Sequence, residues 1–370
     1  MGRSFVIIDN AASPQPAVSY KSMATVTSPE KMLEHRKPHR LQSGKTLAVL
    51  ALLLAVVAIG SAAIGSYPIS LHDWWSVLRA PSAGGTAEIV LLQIRLPRLL
   101  ACILVGSGLA LAGASYQGLF NNPMVSPDIL GASAGAGLGA AVGILLGFDF
   151  VAIQSLSFAG GLVAVLLAWA LASGLCRRGD PVLMLVLVGI LIGSMFTALI
   201  SLTKYLADPM NKLPAITFWL LGSFASITHR DVLLAGVPIA AGCIPLLLLR
   251  WRLNVLCMGE QEARTLGMNT RAMRFTVIVC ATLITAASVS ICGMVGWIGL
   301  VVPHLARMVV GPNHKFLLPA AAIMGGCFLL LVDDVARTAG ALEIPVGILT
   351  ALIGAPFFLF LLMRERRHKS

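Results

Sequence analysis

Residues 151–175 read VAIQSLSFAGGLVAVLLAWALASGL, twenty-five positions without an Asp, Glu, Lys or Arg. As a helix rising 1.5 Å per residue this run spans roughly 37 Å, more than the ~30 Å hydrocarbon core of a bilayer. Its apolar residues are continuous rather than alternating. A chain in hydrocarbon must satisfy its own backbone hydrogen bonds, and a continuous run does so as a helix, not as a strand of a barrel. Nine further apolar runs follow the same logic: 47–64, 99–119, 129–148, 181–202, 232–249, 275–292, 294–306, 316–332 and 344–363. The run 294–306 is too short to span, which predicts a partial helix with irregular backbone around Gly293 and Gly296. The expected fold is an all-α polytopic membrane protein of about ten transmembrane helices. Composition agrees: 57% of the 370 residues are hydrophobic and only 12% charged, far from the roughly 25% charged residues of soluble domains.

The connections set the orientation. With the N-terminus in the cytoplasm, 20 of the 27 Lys and Arg residues fall on the inner side, which the positive-inside rule favours for both termini. A bacterial inner (cytoplasmic) membrane is implied. The net charge of +11 is then explained by basic residues beside anionic lipid, with no nucleic acid partner required. Residues 1–45 are polar, rich in Ser and Pro, and carry a basic cluster at Arg36, Lys37, Arg40 and Lys45, which predicts a disordered cytoplasmic tail. Met23 and Met32 offer alternative starts. The apolar run that follows is longer than a signal-peptide core and further spans succeed it, so a retained first helix is expected. The transmembrane domain is expected over 46–364, and 365–370 forms a second cytoplasmic tail.

Several signals of catalysis fail on inspection. Gly44, Lys45 and Thr46 spell the end of a phosphate-binding loop, but His39 stands where that loop needs glycine and no strand precedes it. The seven cysteines show no CxxC pair and lie mostly in apolar runs, where cysteine behaves as a small hydrophobe. The seven histidines include no HExxH. No metal site, disulfide framework or nucleophile–base pair is indicated, so the chain is expected not to be an enzyme.

What the spans carry instead is small-residue packing: Gly106, Gly108, Gly113, Gly118, Gly131, Gly135, Gly137 and Gly139 sit among Ala and Ser, a pattern that lets helices approach closely. The stretch LAGASYQGLFNNPMVSPDILG (111–131) can be laid on ICGMVGWIGLVVPHLARMVVG (291–311), pairing Gly113 with Gly293, Pro123 with Pro303 and Gly131 with Gly311. The preceding segments run in opposite directions, as in an inverted repeat of a transporter. The hydrophilic connection RWRLNVLCMGEQEARTLGMNTRAMR (250–274) contains helix formers that stop at Gly267, predicting a short surface helix with a C-terminal glycine cap.

Together, RLPRLLACILVGSGLALAGASYQGLFNNPMVSPDILGASAGAGLGA (95–140), the GEQEARTLGMN loop, GWIGLVVPHLARMVVGPNHKFLLP (296–319) and EIPVGILTALIGAPFFLFLL (343–362) resemble the FecCD family of ABC importer permeases. The resemblance covers about 47–363. It implies ten helices per subunit and pairing with a second permease, identical or not. Two ATP-binding subunits hold ATP and Mg, this chain carries no cofactor, and a periplasmic or lipoprotein binding protein delivers substrate. It further implies that the loop around 253–271 couples to the ATPase, with Gly259, Glu260, Ala263, Leu266 and Gly267 as its contact residues. Arg95, Arg98 and Arg337 match arginines that receive acidic residues of the binding protein; snorkelling or pairing with Asp333 or Asp334 is the other account of them. The inner gate falls near Asp180, Pro181 and Val182, and Gly193, Ser194 and Thr197 line a mostly uncharged path. Ser126-Pro127-Asp128 is more like the siderophore and ferric-citrate permeases, which makes a ferric siderophore the expected cargo and haem or cobalamin the alternative. No Asp/Glu/His relay lies within the spans, which disfavours an ion-coupled secondary transporter, and an intramembrane enzyme lacks a catalytic pair.

Overall fold

The computed structural model describes residues 39–65, 67, 85–175, 181–340 and 342–369. Residues 43–370 pack as one unit. In chain order the helices are α1 (His39–Ala63), α2 (Thr86–Leu119), α3 (Ala132–Leu146), α4 (Phe150–Leu175), α5 (Pro181–Leu206), α6 (Lys212–Leu221), α7 (His229–Leu248), α8 (Arg250–Leu256), α9 (Glu260–Thr265), α10 (Thr270–Cys292), α11 (Ile298–Val310), α12 (His314–Thr338) and α13 (Val346–Lys369). Among the described residues there is no strand. Seven helices, α1, α2, α4, α5, α7, α10 and α12, are long and apolar enough to cross a membrane, while α3, α6, α11 and the first part of α13 are shorter apolar helices. Most of the expected tail at 1–45 lies outside the described residues, but its last part is helical from His39, and the expected tail at 365–370 continues α13 as far as Lys369.

Burial ranks the helices. In the most apolar stretch of each, 78% of residues are buried in α10 and 61% in α12, against 11% in α1, so α10, α12 and α2 form the centre and α1 lies at the edge. The sequence explains why. Gly106 of α2 and Gly325 of α12 stand back to back, so that a Cβ on either would run into the other's backbone carbonyl, and Gly135 of α3 meets Gly160 of α4 in the same way. With no hydrophobic gain between helices in lipid, contact of this kind supplies the attraction through dispersion.

Irregular backbone occurs where it is sheltered. The first part of α2 is a π-helix over Ile89–Arg95, directly before Pro97, whose missing N–H and ring disfavour a regular turn. The expected break after α10 is present: Gly293 caps the helix at φ 73°, residues 294–297 are irregular, and α11 begins at Ile298 as a helix of 13 residues. The polar groups there are met by protein, as Ser223 N donates to the Cys292 carbonyl at 2.9 Å and Val346 N to the Gly222 carbonyl at 3.0 Å. Of the three residue pairs of the offset between 111–131 and 291–311, Gly131 and Gly311 are both cap glycines with positive φ, and the other two occupy different settings. Gly113 is mid-helix while Gly293 is a cap, and Pro123 lies in a turn while Pro303 lies in α11. α6 was not expected, because Lys212 and Pro214 interrupt an apolar run already too short to span.

Gly106→Ala is expected to destabilise the bundle by ~1–3 kcal/mol through overpacking. Gly174→Ala, at a glycine with nothing within 4 Å, is expected to be neutral or slightly stabilising. Thermal unfolding of the two variants in one detergent checks the difference.

Candidate functional site: a coupling turn beside the start of α5

The connection predicted to form a short surface helix does so. α8 ends at Leu256, the chain turns at Gly259 with φ 127° and ψ 154°, a conformation that favours glycine, and α9 follows for six residues. Its end is a Schellman cap: Gly267, at φ 77°, donates to the Arg264 carbonyl at 2.9 Å and Met268 to the Ala263 carbonyl at 3.0 Å. Ala263 is wholly buried, so it anchors α9 on the bundle and cannot itself touch a partner, whereas Leu266 and the neighbouring Met258 are each 66% exposed. Glu260 points back toward the bundle. Its carboxylate meets Arg264 at 2.5 Å along α9 and Arg274 at 2.5 Å in α10, with Thr270 Oγ1 at 3.4 Å. Burial alone would raise the Glu260 carboxyl, but the hydrogen bond and charge of Arg274, helped by Arg264, outweigh this and hold it below the ordinary glutamate range.

Across from this turn, Pro181 opens α5 at its first position, where a missing N–H costs nothing. Asp180 lies outside the described residues. Pro181 and Val182 share with Glu260 and Arg264 the walls of a cavity of about 600 Å³. Residues expected to gate and residues expected to couple thus lie on one hollow.

Further along α5, Ser194 and Thr197 are exposed beside Leu187, Leu191 and Met195. Thr197 Oγ1 donates to the Gly193 carbonyl at 2.8 Å and Ser201 Oγ to the Thr197 carbonyl at 3.1 Å, so these hydroxyls are satisfied without water. Gly193 itself faces inward: a Cβ on Gly131 would lie 3.1 Å from its backbone nitrogen. It allows α5 to approach the turn before α3 while remaining half-buried. The run 181–202 carries no charge.

The three arginines expected at a docking surface are buried instead. Arg98 holds Asp333 through Nε at 2.9 Å and Glu343 through Nη1 at 2.9 Å. Arg337 pairs with Asp333 at 3.2 Å and with Asp334, which also accepts from Ser61 Oγ at 2.5 Å. Arg95 donates to the carbonyls of Ala62 and Tyr67 at 2.7 and 2.5 Å. The cluster ties α1, α2, α12 and the approach to α13 together, with Glu343 its half-exposed member. For Arg98 and Arg337 the geometry shows pairing with Asp333 and Asp334, while Arg95 is held by backbone carbonyls; charges removed from water are tolerated only when so satisfied. The spacings of Glu260–Arg264, Asp333–Arg337 and Asp334–Arg337 are legible as helix neighbours, whereas that between Glu260 and Arg274 hides the pair.

The profile of the FecCD transport family matches residues 52–364. The chain belongs to the FecCD transport family. Within it, the molybdate import system permease protein MolB of Haemophilus influenzae is 40% identical over 327 residues, covering 87% of this chain and 96% of that protein. An iron chelatin transport system permease protein of Helicobacter pylori is 39% identical over 327 residues, 86% of this chain and 98% of its own length. A solved structure described as an inward-facing conformation of an ABC transporter assigned to the metal-chelate type superposes with a TM-score of 0.79 at 40% identity, covering 87% of this chain and 99% of that one. This FecCD chain is thus a multi-pass membrane permease subunit of an ABC importer, in which ATP hydrolysis belongs to a separate subunit.

Two outcomes test the site. Arg98→Ala strips Asp333 and Glu343 of a shared partner in a buried setting and is expected to cost ~3–5 kcal/mol, read as a fall in thermal midpoint. For Glu260→Gln the sign follows from the depressed carboxyl. Its contribution to stability is fully present above the ordinary value of 4.5 and is lost as pH falls through the lower folded value. The variant should melt below wild type at pH 7, and the two midpoints should converge as the pH is taken below 4.5.

Proposed function

We propose that this permease carries a ferric siderophore, or a closely similar metal chelate, from periplasm to cytoplasm through the bacterial inner membrane, with both termini on the cytoplasmic side. The observation that supports the reading is the hollow lined both by Glu260 and Arg264 and by Pro181 and Val182, the residues assigned here to coupling and to the gate. A tilt of α9 driven by an ATP-binding subunit would reach Pro181 and Val182 across one cavity. The exposed, uncharged face of α5 suits a bulky chelate that is passed along rather than held, since a fixed charge would bind tightly and slow release. The ten spans expected from the apolar runs, a second permease subunit placing another α5 face opposite this one, two ATP-binding subunits and a periplasmic or lipoprotein binding protein complete the assembly. Met258, Leu266 and Gly267 offer the outward surface for the ATPase, while Glu260 and Ala263 hold that surface in place. The binding protein meets a surface that Arg95, Arg98 and Arg337 support from beneath.

A second reading, an oxyanion cargo, is favoured by the 40% identity to the molybdate permease MolB; haem and cobalamin are the further alternatives within the family. Uptake into proteoliposomes holding the chain with its co-expressed partners separates them. The expected result is ATP-dependent entry of iron supplied as the siderophore complex, abolished by Leu266→Asp without loss of the folded permease. Entry of molybdate, haem or cobalamin with exclusion of the ferric complex would overturn the siderophore assignment.

A further inference from the structure

The hollow beside the coupling turn has two unlike walls. One is apolar and comes from the ends of bundle helices: Leu119 of α2, Trp169 of α4 and Leu185 of α5. The other is cationic, with Arg264, Arg271 and Arg274. Glu260 is the one acid among the lining residues, and its two oxygens are already taken by Arg264 and Arg274. Arg271 is exposed and, among the described residues, has neither an ion pair nor a hydrogen bond. Among the described lining residues net positive charge therefore remains. On the apolar side, the ring of Trp169 lies 5.6 Å from that of Phe275, and tryptophan is enriched at the level of lipid headgroups.

We propose that this cavity is a binding site for one anionic phospholipid, its phosphate at Arg271 and an acyl chain along the Leu119–Trp169–Leu185 wall. A volume of about 600 Å³ lies within the usual ~300–1,000 Å³ of ligand sites. A free phosphate would satisfy the arginine and leave the apolar wall wet. A peptide segment from the ATP-binding subunit would bring backbone amides and carbonyls against a wall that offers them almost no partners: of its polar members, Asn269 already caps α10 through Ala272 N at 3.0 Å. A lipid matches both walls. Because the same hollow borders Glu260 and Pro181, the lipid fills the space between the coupling turn and the start of α5 and stiffens the link between them. Lipid binding stands apart from the transport assignment; only the leaflet that supplies the lipid rests on the orientation proposed above.

The test uses the full-length chain in nanodiscs of phosphatidylglycerol or phosphatidylcholine, read by thermal midpoint and by native mass spectrometry of retained lipid. Expected are one tightly retained phosphatidylglycerol per chain and a higher midpoint in phosphatidylglycerol. Arg271→Ala should reduce retention about fivefold, as the loss of one basic contact to an anionic headgroup implies. Ser173→Trp, which blocks the hollow without changing charge, should also reduce it, and Arg230→Ala, at an exposed arginine away from the cavity, should leave it unchanged. Equal losses in Arg271→Ala and Arg230→Ala, wild-type retention in Ser173→Trp, or full stabilisation by inorganic phosphate in phosphatidylcholine would each overturn the site. So would displacement of the lipid on assembly, with a Ser173→Cys crosslink to the ATP-binding subunit.

Discussion

Where Gly106 of α2 faces Gly325 of α12, two helices come so near that backbone touches backbone, and the remaining helices are arranged round that contact. In lipid no water is released when helices meet, so closeness itself has to supply the attraction, and only residues without a side chain permit it. The same device recurs between α3 and α4 at Gly135 and Gly160. It also has a structural consequence for charge. Once α2 and α12 are fixed against each other, Arg98 on one and Asp333 on the other are brought to within 2.9 Å, and the end of α1 joins the cluster as Ser61 Oγ donates to Asp334 and the Ala62 carbonyl accepts from Arg95. The packing makes the ion cluster affordable, and the cluster in turn holds the ends of helices whose apolar surfaces distinguish poorly between neighbours.

The two ends of the chain's functional architecture are built on opposite principles. The arginine cluster is closed: nearly every charged atom is spoken for within the protein. The coupling turn is open. It keeps one buried foot at Ala263, one ionic strut through Glu260, and presents Met258 and Leu266 outward.

The helical fold and nearly all of its long segments were legible from runs of uncharged residues alone, because hydrocarbon allows so few backbone solutions. The break at Gly293 was legible for a related reason, since 294–306 was too short to span. α6 was not, as ten residues interrupted by Lys212 and Pro214 carry no length signal. At the site, Gly267 and the short helix before it were readable from local cap chemistry. Between docking and pairing for Arg95, Arg98 and Arg337 the sequence left both open, because charge near the end of an apolar run looks the same whether it reaches for a partner protein or, as Arg98 does, for an aspartate over two hundred residues away. The close approach of Gly193 to Gly131 was not legible either: a sequence places a residue on a helix but does not say which way the helix turns within the bundle.

α9 stands between two residues with positive φ, Gly259 and Gly267, whose backbones permit rotations closed to other residues. A helix hung between two such swivels can tilt as a rigid peg while keeping its internal hydrogen bonds. The direction of tilt is then set by what tethers it, and the tether that crosses to another helix is the strut from Glu260 to Arg274. The strut from Glu260 thus ties a six-residue helix to the second turn of α10, the helix with the largest buried share among the seven long ones.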